Sequence, residues 1–576
     1  VTTNNPAEFT ITKSTFKTLG QYAFVSILCL LILTWVMQLW RADFKVPFMY
    51  FVDSLFYNIA TKGTIEHGWW LHNQSLGAPA GLTFEGYPAL ENFHWAVIKL
   101  ISLFTADHAL VLNIFYLLTF PLTAITSFYF LRHFKFSFGT ALVVSLLYSF
   151  LPYHFFQSYH LMMAAYYLVP LMVLVIMWIC LEDRLQGRKA IASIAICLIA
   201  GSCGVYYPYF FCFLLLAAGL FSSWNRCSYA PLVAALVLAG VVAGTLVINH
   251  LPTIIYQRTH GSAAMGSRSV GDAEIMGLKI TQLLLPIGGH RNEKLAALKH
   301  RYNLGPLINE NDTSSLGIVG SIGFLLLLGA IFSRQKMPGL LQALSGSNLA
   351  AVLLGTIGGL GVLFNLLVSP QIRAYTRISV FIAFFSLIGV AWLLDTLFKK
   401  LSTPPLRVVY HVGLAVVLVV GVLDQTTTTF FFVPEYEKNK RDYESDADFV
   451  SRIEASLPPH AMVFQLPYMP FPESPPLHQM RAYEHYKAYL HSKTLRWSYG
   501  VPPGEQQDKW QQSVAAQPPP ELLNSVRAAG FSGIYVNLDG YEDRGAKLKG
   551  ELTSALGVEP IVNREGNLVF FNLDNQ

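Results

Sequence analysis

Residues 47–58 read PFMYFVDSLFYN. They follow the first long apolar run of the chain and set one carboxylate, Asp53, among Phe48, Met49, Tyr50, Phe51, Val52, Leu55 and Phe56. A lone acid in an aromatic, lipid-compatible segment acquires a meaning only when the membrane is placed around it. Phe51, Leu55, Phe56 and Ile59 fit one apolar stripe, which predicts a short amphipathic helix lying in the membrane interface. Acids at a lipid boundary are functional-site candidates. The competing reading is a solvated acid at the start of a surface helix, and position alone leaves both open.

Outward from this stretch the chain is strongly apolar. Of its 576 residues, 53% are hydrophobic and 13% charged, against about 25% charged in an ordinary soluble domain. Apolar runs of about 20 residues recur, each long enough to cross roughly 30 Å of hydrocarbon. Hydropathy predicts a polytopic α-helical membrane protein with about eleven transmembrane helices, at 19–40, 107–131, 136–151, 161–181, 189–203, 204–223, 229–249, 316–333, 348–368, 377–397 and 406–427. The run near Leu19 lacks a small-residue cleavage site and reads as a retained helix.

Basic residues orient the array. With Lys13 and Lys17 in the cytoplasm, the loops RHFK (132–135), EDRLQGRK (182–189), SSWNR (222–226), SRQK (333–336) and FKK (398–400) all fall inside, and all carry Lys or Arg. The outer face then holds 41–106, 250–315, 369–376 and everything after about residue 428. The net charge of +5 is therefore a matter of orientation, and no nucleic-acid partner is expected. The six cysteines lie in or beside apolar spans without a CxxC, which argues against a disulfide framework and a thiolate metal site.

The division predicted is a transmembrane domain over 1–428, with outer loops 41–106 and 250–315, and an extracytoplasmic α/β domain over 429–576. In the tail we read helix near 446–456, strand 461–467, helix near 520–529, strand 533–538, helix near 544–556, and a hairpin IVNREGNLVFFNL.

Long polar segments gathered on one face place the chemistry there. Asp53 and Tyr57 stand four residues apart on neighbouring helical positions. The remainder of the first outer loop supplies Glu85, Glu91, His94 and several Trp residues. Aromatic faces with carboxylates suit sugar rings, and they also suit an interfacial belt. Glu91 and His94 are one turn apart at the entrance of the next helix. In SPQIRAYTRISV (369–380), Arg373 and Arg377 are expected on one helical face, and guanidinium forks suit phosphate oxygens; headgroup anchoring explains them too. His290 and Arg291 end ITQLLLPIGGHR, and Arg258 and Arg268 are further cations of the same outer segment. Glu274, in GDAEIMGLK, is a candidate for holding an acceptor or pairing with these arginines.

The layout of one N-terminal span, an outer acid shortly after it, many further spans and an outer α/β tail resembles the GT-C superfamily of membrane glycosyltransferases. The phrases LGAPAG, EGYPALENFHW, LKITQLLLPIGGHR and AYLHSKTLRWSYG resemble a bacterial branch of it. The resemblance implies an inverting transferase at the periplasmic face of a bacterial inner membrane. Its donor would be a polyprenyl-phosphate sugar and its acceptor a glycan or lipid hydroxyl. Asp53 would be the catalytic base, Arg373, Arg377 and Arg291 would hold the donor phosphate, and Tyr57, Glu85, Glu91, His94, His290 and Glu274 would contact sugar or acceptor. The chain lacks the DEPR-like form of the acid motif found in aminoarabinose transferases and the WWDYG signature of oligosaccharyltransferases, so neither substrate is carried over.

No cofactor is expected, and a divalent metal is not favoured, because no DxD occurs in the first outer loop and no i, i+4 histidine pair suggests a zinc helix. There is no GxxxxGK[ST] for nucleotide-driven transport and no GxSxG elbow. Gly355, Gly358, Gly359 and Gly361 suit close helix packing. Two other classes remain in view, a transporter of a lipid-linked glycan and a non-catalytic assembly protein. The paired repeats and mid-membrane charges usual in transporters are not visible.

Overall fold

The computed structural model describes residues 13–86, 91–260, 268–333, 337–401, 403–472, 474–502 and 504–574. Residues 87–90 of EGYPALENFHW and 334–336 of SRQK lie outside the described residues. The protein is a multi-pass helical membrane protein with a small C-terminal sheet. Among the described residues seven helices are long and apolar enough to cross a membrane: Phe16–Met37, His108–His133, Phe138–Phe156, Tyr206–Arg226, Ala230–Thr259, Tyr375–Lys399 and Pro404–Gln425. Shorter apolar helices run over Val169–Leu181, Gly187–Ala200, Gly317–Ile331 and Gly339–Gly355.

Local chemistry sets several helix starts. Asp107 accepts from Leu110 N at 3.0 Å and Ser137 from Thr140 N at 3.3 Å, each satisfying an orphan amide of the first turn. Burial then separates central from peripheral helices. The apolar window of Tyr375–Lys399 is 83% buried, whereas that of Pro404–Gln425 is 17% buried, so the latter turns Val408, Val412, Val416 and Val419 outward to lipid. An added Cβ at Gly323 would run into the Ser386 carbonyl, so that glycine brings Gly317–Ile331 against the central helix.

The expected span 348–368 is interrupted. Its helix begins at Gly339, ends at Gly355, and gives way to a turn with Gly358 at φ +72° before a short helix Leu360–Leu367. Gly355 and Gly361 do pack closely, against Ile378 and Tyr375, but Gly358 and Gly359 break the helix. Apolarity ran through a backbone turn that only the glycine pair reveals.

The helix expected in the membrane interface is also different. Asp53–His67 is buried around its circumference, with Leu55, Ile59, Thr61 and Thr64 fully enclosed. It packs on His108–His133 and on the C-terminal helix Tyr486–His491. Burying each such Leu or Ile side chain contributes about 1.5–3 kcal/mol. Lys62 is tied down by Glu66 Oε1 at 2.5 Å and the Ser492 carbonyl at 2.9 Å.

Two short strands of the segment 41–106, β1 (His72–Asn73) and β2 (Leu82–Thr83), pair antiparallel. The tail builds a five-stranded sheet from β3 (Met462–Leu466), β4 (Arg496–Trp497), β5 (Phe531–Asn537), β6 (Ile561–Val562) and β7 (Leu568–Asn572), in the order β4-β3-β5-β7-β6. β3 runs parallel to β4 and β5, and β7 runs antiparallel to β5 and β6. Helices Tyr436–Ser456, Pro519–Ala528 and Ala546–Leu556 belong to the same region. The loop between β1 and β2 reaches this sheet: Trp497 N donates to Ser75 O at 2.9 Å, Ala78 N to Trp497 O at 2.9 Å, and Gly77 N to Tyr499 O at 3.0 Å. Gly77 at φ +64° and Gly81 at φ +98° make the LGAPAG turn, left-handed positions that glycine tolerates.

Candidate active site

Asp53 opens the buried helix, where a carboxylate meets the positive end of the helix dipole. Val52 before it sits at φ 41°, ψ −131°. A β-branched residue in that region stores on the order of 1–3 kcal/mol of strain. The turn is pinned by Ser54, whose Oγ donates to Phe51 O at 2.5 Å and accepts from Phe51 N at 3.1 Å. Asp53 is thus presented by a held backbone.

Its Oδ2 pairs with Nε2 of His160. The other ring nitrogen of His160 lies 3.2 Å from Gln157 Oε1, which fixes the imidazole from behind. His160 was not among the sequence candidates. It lies inside the 161–181 span's approach, in the segment QSYHLMM, and nothing in its spacing marks it.

The pair faces a cavity of about 260 Å³ whose walls include Tyr57, Glu91, Trp95, Tyr206, Arg268, Arg373, Arg377 and Tyr483. Two carboxylates, Asp53 and Glu91, therefore share one space with three arginines. Tyr57 and Trp95 stand 6.4 Å apart and supply flat aromatic walls. Glu91 is positioned by the docking of Phe93 N on Ser202 O at 2.9 Å, and a Cβ on Gly204 would lie 3.4 Å from its Oε1.

Arg373 precedes and Arg377 lies within a 3-10 turn, Tyr375–Ile378, that enters the central helix, so both reach the cavity from a tighter turn than the expected helix. Arg377 is already engaged. Its Nε and Nη2 donate to Glu310 at 2.9 and 2.8 Å in a bidentate pair, and its guanidinium lies 4.4 Å from the Tyr206 ring centroid. Burial alone would raise the Glu310 carboxyl, but Arg377, with help from His160 and Arg373, pulls it down to about 2. Glu310 was also missed by sequence reading. Its only signal is the acidic run NEND in the segment 250–315.

Five expected site residues lie elsewhere. Arg291 donates to Thr426 O at 3.2 Å and stacks 5.6 Å from Trp35. His290 meets Asp424 at 3.3 Å. Arg291 thus bridges the first span and the end of the last, and His290 meets the last, because the loop carrying them folds back on that side. Glu85 pairs with His72 at 3.4 Å across the β1–β2 hairpin. His94 is a core residue with Nδ1 3.1 Å from Tyr167 OH, and burial pushes its pKa down to about 3. Glu274 accepts from Gly358 N at 2.9 Å and braces the interrupted span. Among the described residues, no group of three or more His, Cys, Asp and Glu side chains could hold a metal ion.

No protein-family model matches the chain, and no curated protein matches it. Solved structures do. ArnT from Cupriavidus metallidurans matches in its apo state with a TM-score of 0.52 and 13% identity, over 96% of this chain and 98% of that one. The same protein bound to undecaprenyl phosphate gives 0.51 and 11%, over 97% and 98%. The fold is that of the GT-C glycosyltransferases. The archaeal oligosaccharyltransferase AglB from Archaeoglobus fulgidus, solved with an inhibitory peptide and dolichol-phosphate, is also similar, with a TM-score of 0.46 and 11% identity over 97% of this chain and 74% of that one. At these identities the GT-C likeness is one of fold, and the chemistry of this chain is argued from its own residues.

Proposed function

We propose that this chain is an inverting glycosyltransferase that moves a sugar from a polyprenyl-phosphate donor to an acceptor hydroxyl at the periplasmic face of a bacterial inner membrane. The observation that carries the reading is the convergence of Asp53 with Arg373, Arg377 and Arg268 on one cavity. The donor's lipid tail stays in the bilayer and its anomeric carbon enters the cavity. Asp53 takes the proton of the attacking hydroxyl, which requires an approach of about 3 Å. His160 is a positioning residue that holds the carboxylate by one oxygen. Negative charge builds on the departing phosphate, and fixed guanidinium groups meet it there without reorganising. Glu310 holds Arg377 in place, and Arg373 and Arg377 together meet the phosphate in this scheme. Tyr57 and Trp95 are offered to the sugar face and Glu91 to its hydroxyls.

The scheme needs no metal or cofactor from the protein, because the leaving group is a lipid monophosphate met by arginine. The basic loops support an amino terminus in the cytoplasm and a region after residue 428 in the periplasm. In this scheme residues 1–428 carry the catalytic groups and 429–576 form the periplasmic domain.

The test uses the purified full chain in lipid nanodiscs, supplied with a panel of polyprenyl-phosphate sugars and cell-envelope glycans. Release of polyprenyl phosphate is the readout. Asp53→Asn is expected to lower turnover by about 10²–10⁴-fold while donor binding persists. Equal release from the variant and the parent would sink the reading, and a transporter or assembly protein would give that result.

A further inference from the structure

A second and larger cavity, of about 460 Å³, lies on the other side of the loop that carries Asp53. Its volume falls in the roughly 300–1,000 Å³ range of small-ligand sites. The same short segments wall both spaces. Phe51 and Arg481 line this cavity, and Asp53 and Tyr483, two residues further along each segment, line the catalytic one. The Arg481 guanidinium lies 5.9 Å from the Phe51 ring centroid and closes the partition.

The far wall is the carboxyl end of β5, at Asn537 and Asp539. In open α/β sheets ligands collect outside the carboxyl ends of strands. The floor is built rather than incidental. Asp446 is more than nine-tenths buried and accepts from Tyr50 OH at 2.9 Å, and that hydroxyl is 3.0 Å from His491 Nε2. Asn567 Nδ2 donates to Asp539 Oδ2 at 2.7 Å, fixing the rim. Amides and carboxylates that are held in this way present directional partners to hydroxyl groups.

The charge balance selects among polar ligands. Five carboxylates line the space against three cations. One of those cations, Lys438, is paired with Asp442 at 3.0 Å. Such a surface repels phosphorylated or uronate-bearing chains and accepts neutral polyols. We infer that this cavity binds the uncharged saccharide portion of the acceptor, one partition away from Asp53. Its role as an acceptor site rests on the transferase reading; its capacity for neutral saccharide does not.

The experiment presents the full chain in detergent to an array of neutral, uronate-bearing and phosphorylated oligosaccharides. Gln479 is an exposed lining residue, so Gln479→Trp fills the cavity without touching a core. Neutral oligosaccharides are expected to be retained, retention is expected to fall by about tenfold or more in Gln479→Trp, and Asp53→Asn is expected to retain them as the parent does. No retained saccharide, a preference for charged ones, or equal retention by Gln479→Trp would overturn the assignment. Loss in Asp53→Asn equal to that in Gln479→Trp would place the saccharide in the catalytic cavity and overturn it as well. Retention that depends on Gln479, in a chain that releases no polyprenyl phosphate from any donor, would uphold the site and sink the transferase reading instead.

Discussion

Two corners of the molecule carry arginine at the end of an apolar stretch, and the structure treats them differently. At one, Arg373 and Arg377 reach the cavity that holds Asp53. At the other, Arg291 is spent on the Thr426 carbonyl and the Trp35 ring, beside His290 and Asp424. Both corners look alike as sequence, a cation at a lipid boundary. What separates them is the element behind each. Glu310, from the segment preceding Gly317–Ile331, braces the first corner while leaving a cavity in front of it. The second corner is filled by the first and last spans. A boundary arginine becomes a candidate phosphate ligand when another group positions it without occupying the space it faces.

The contrast can be broken at several points. The largest effect is expected from Glu310→Gln, which leaves a buried guanidinium without its partner charge and costs about 3–5 kcal/mol. A fluorescence-monitored thermal melt in detergent would read it, and the matching change at the other corner, Asp424→Asn, is expected to melt much closer to the parent. The same carboxyl sets an acid limb. Its folded pKa of about 2 lies below its ordinary value of 4.5, so its stabilisation is present above pH 4.5 and is lost as pH falls toward 2. Glu310→Gln should flatten that limb, and an unchanged acid profile would show that Arg377 and Glu310 are not coupled in solution.

Next, Arg373→Ala is expected to lower turnover by about 10²–10³-fold, the range for removing one preorganised group that meets transition-state charge. His160→Gln should cost less, about tenfold, and should alter the pH–rate profile, because it changes which group holds the Asp53 oxygen. A profile identical to the parent's would reduce His160 to packing. The smallest effect is expected at the contrasting corner. Arg291→Ala loses one carbonyl hydrogen bond and a ring contact, about 1 kcal/mol of stability, with turnover within a factor of about two. A large turnover loss there would erase the distinction between the corners.

Much of the architecture could be read from the chain because it rests on one-dimensional signals. Apolar length marks helices, and each of the eleven apolar segments contains helix. Alternation and turn residues marked β3, β5 and the β6–β7 hairpin. The interruption near Gly358 escaped because hydropathy does not register backbone dihedrals. The burial of Asp53–His67 escaped because its covering layers come from 108–133 and 486–491, far along the chain. The site divides on the same principle. Asp53, Tyr57, Glu91, Arg373 and Arg377 were found as unusual residues at an inferred boundary. His160 and Glu310 were not, since each is meaningful only through a contact across the fold, and Glu85, His94 and Glu274 were assigned to a site that their local partners keep them out of.

The hydrogen bonds between Ser75–Ala78 and Trp497–Tyr499 have a consequence for biogenesis. The amino-terminal hairpin emerges first and must wait through the synthesis of more than four hundred residues for the sheet edge it completes. Ala78 belongs to the apolar core of that sheet, so a tail released by itself would expose an open strand edge and a vacant socket. Closure of this sheet edge can therefore follow only the synthesis of both segments.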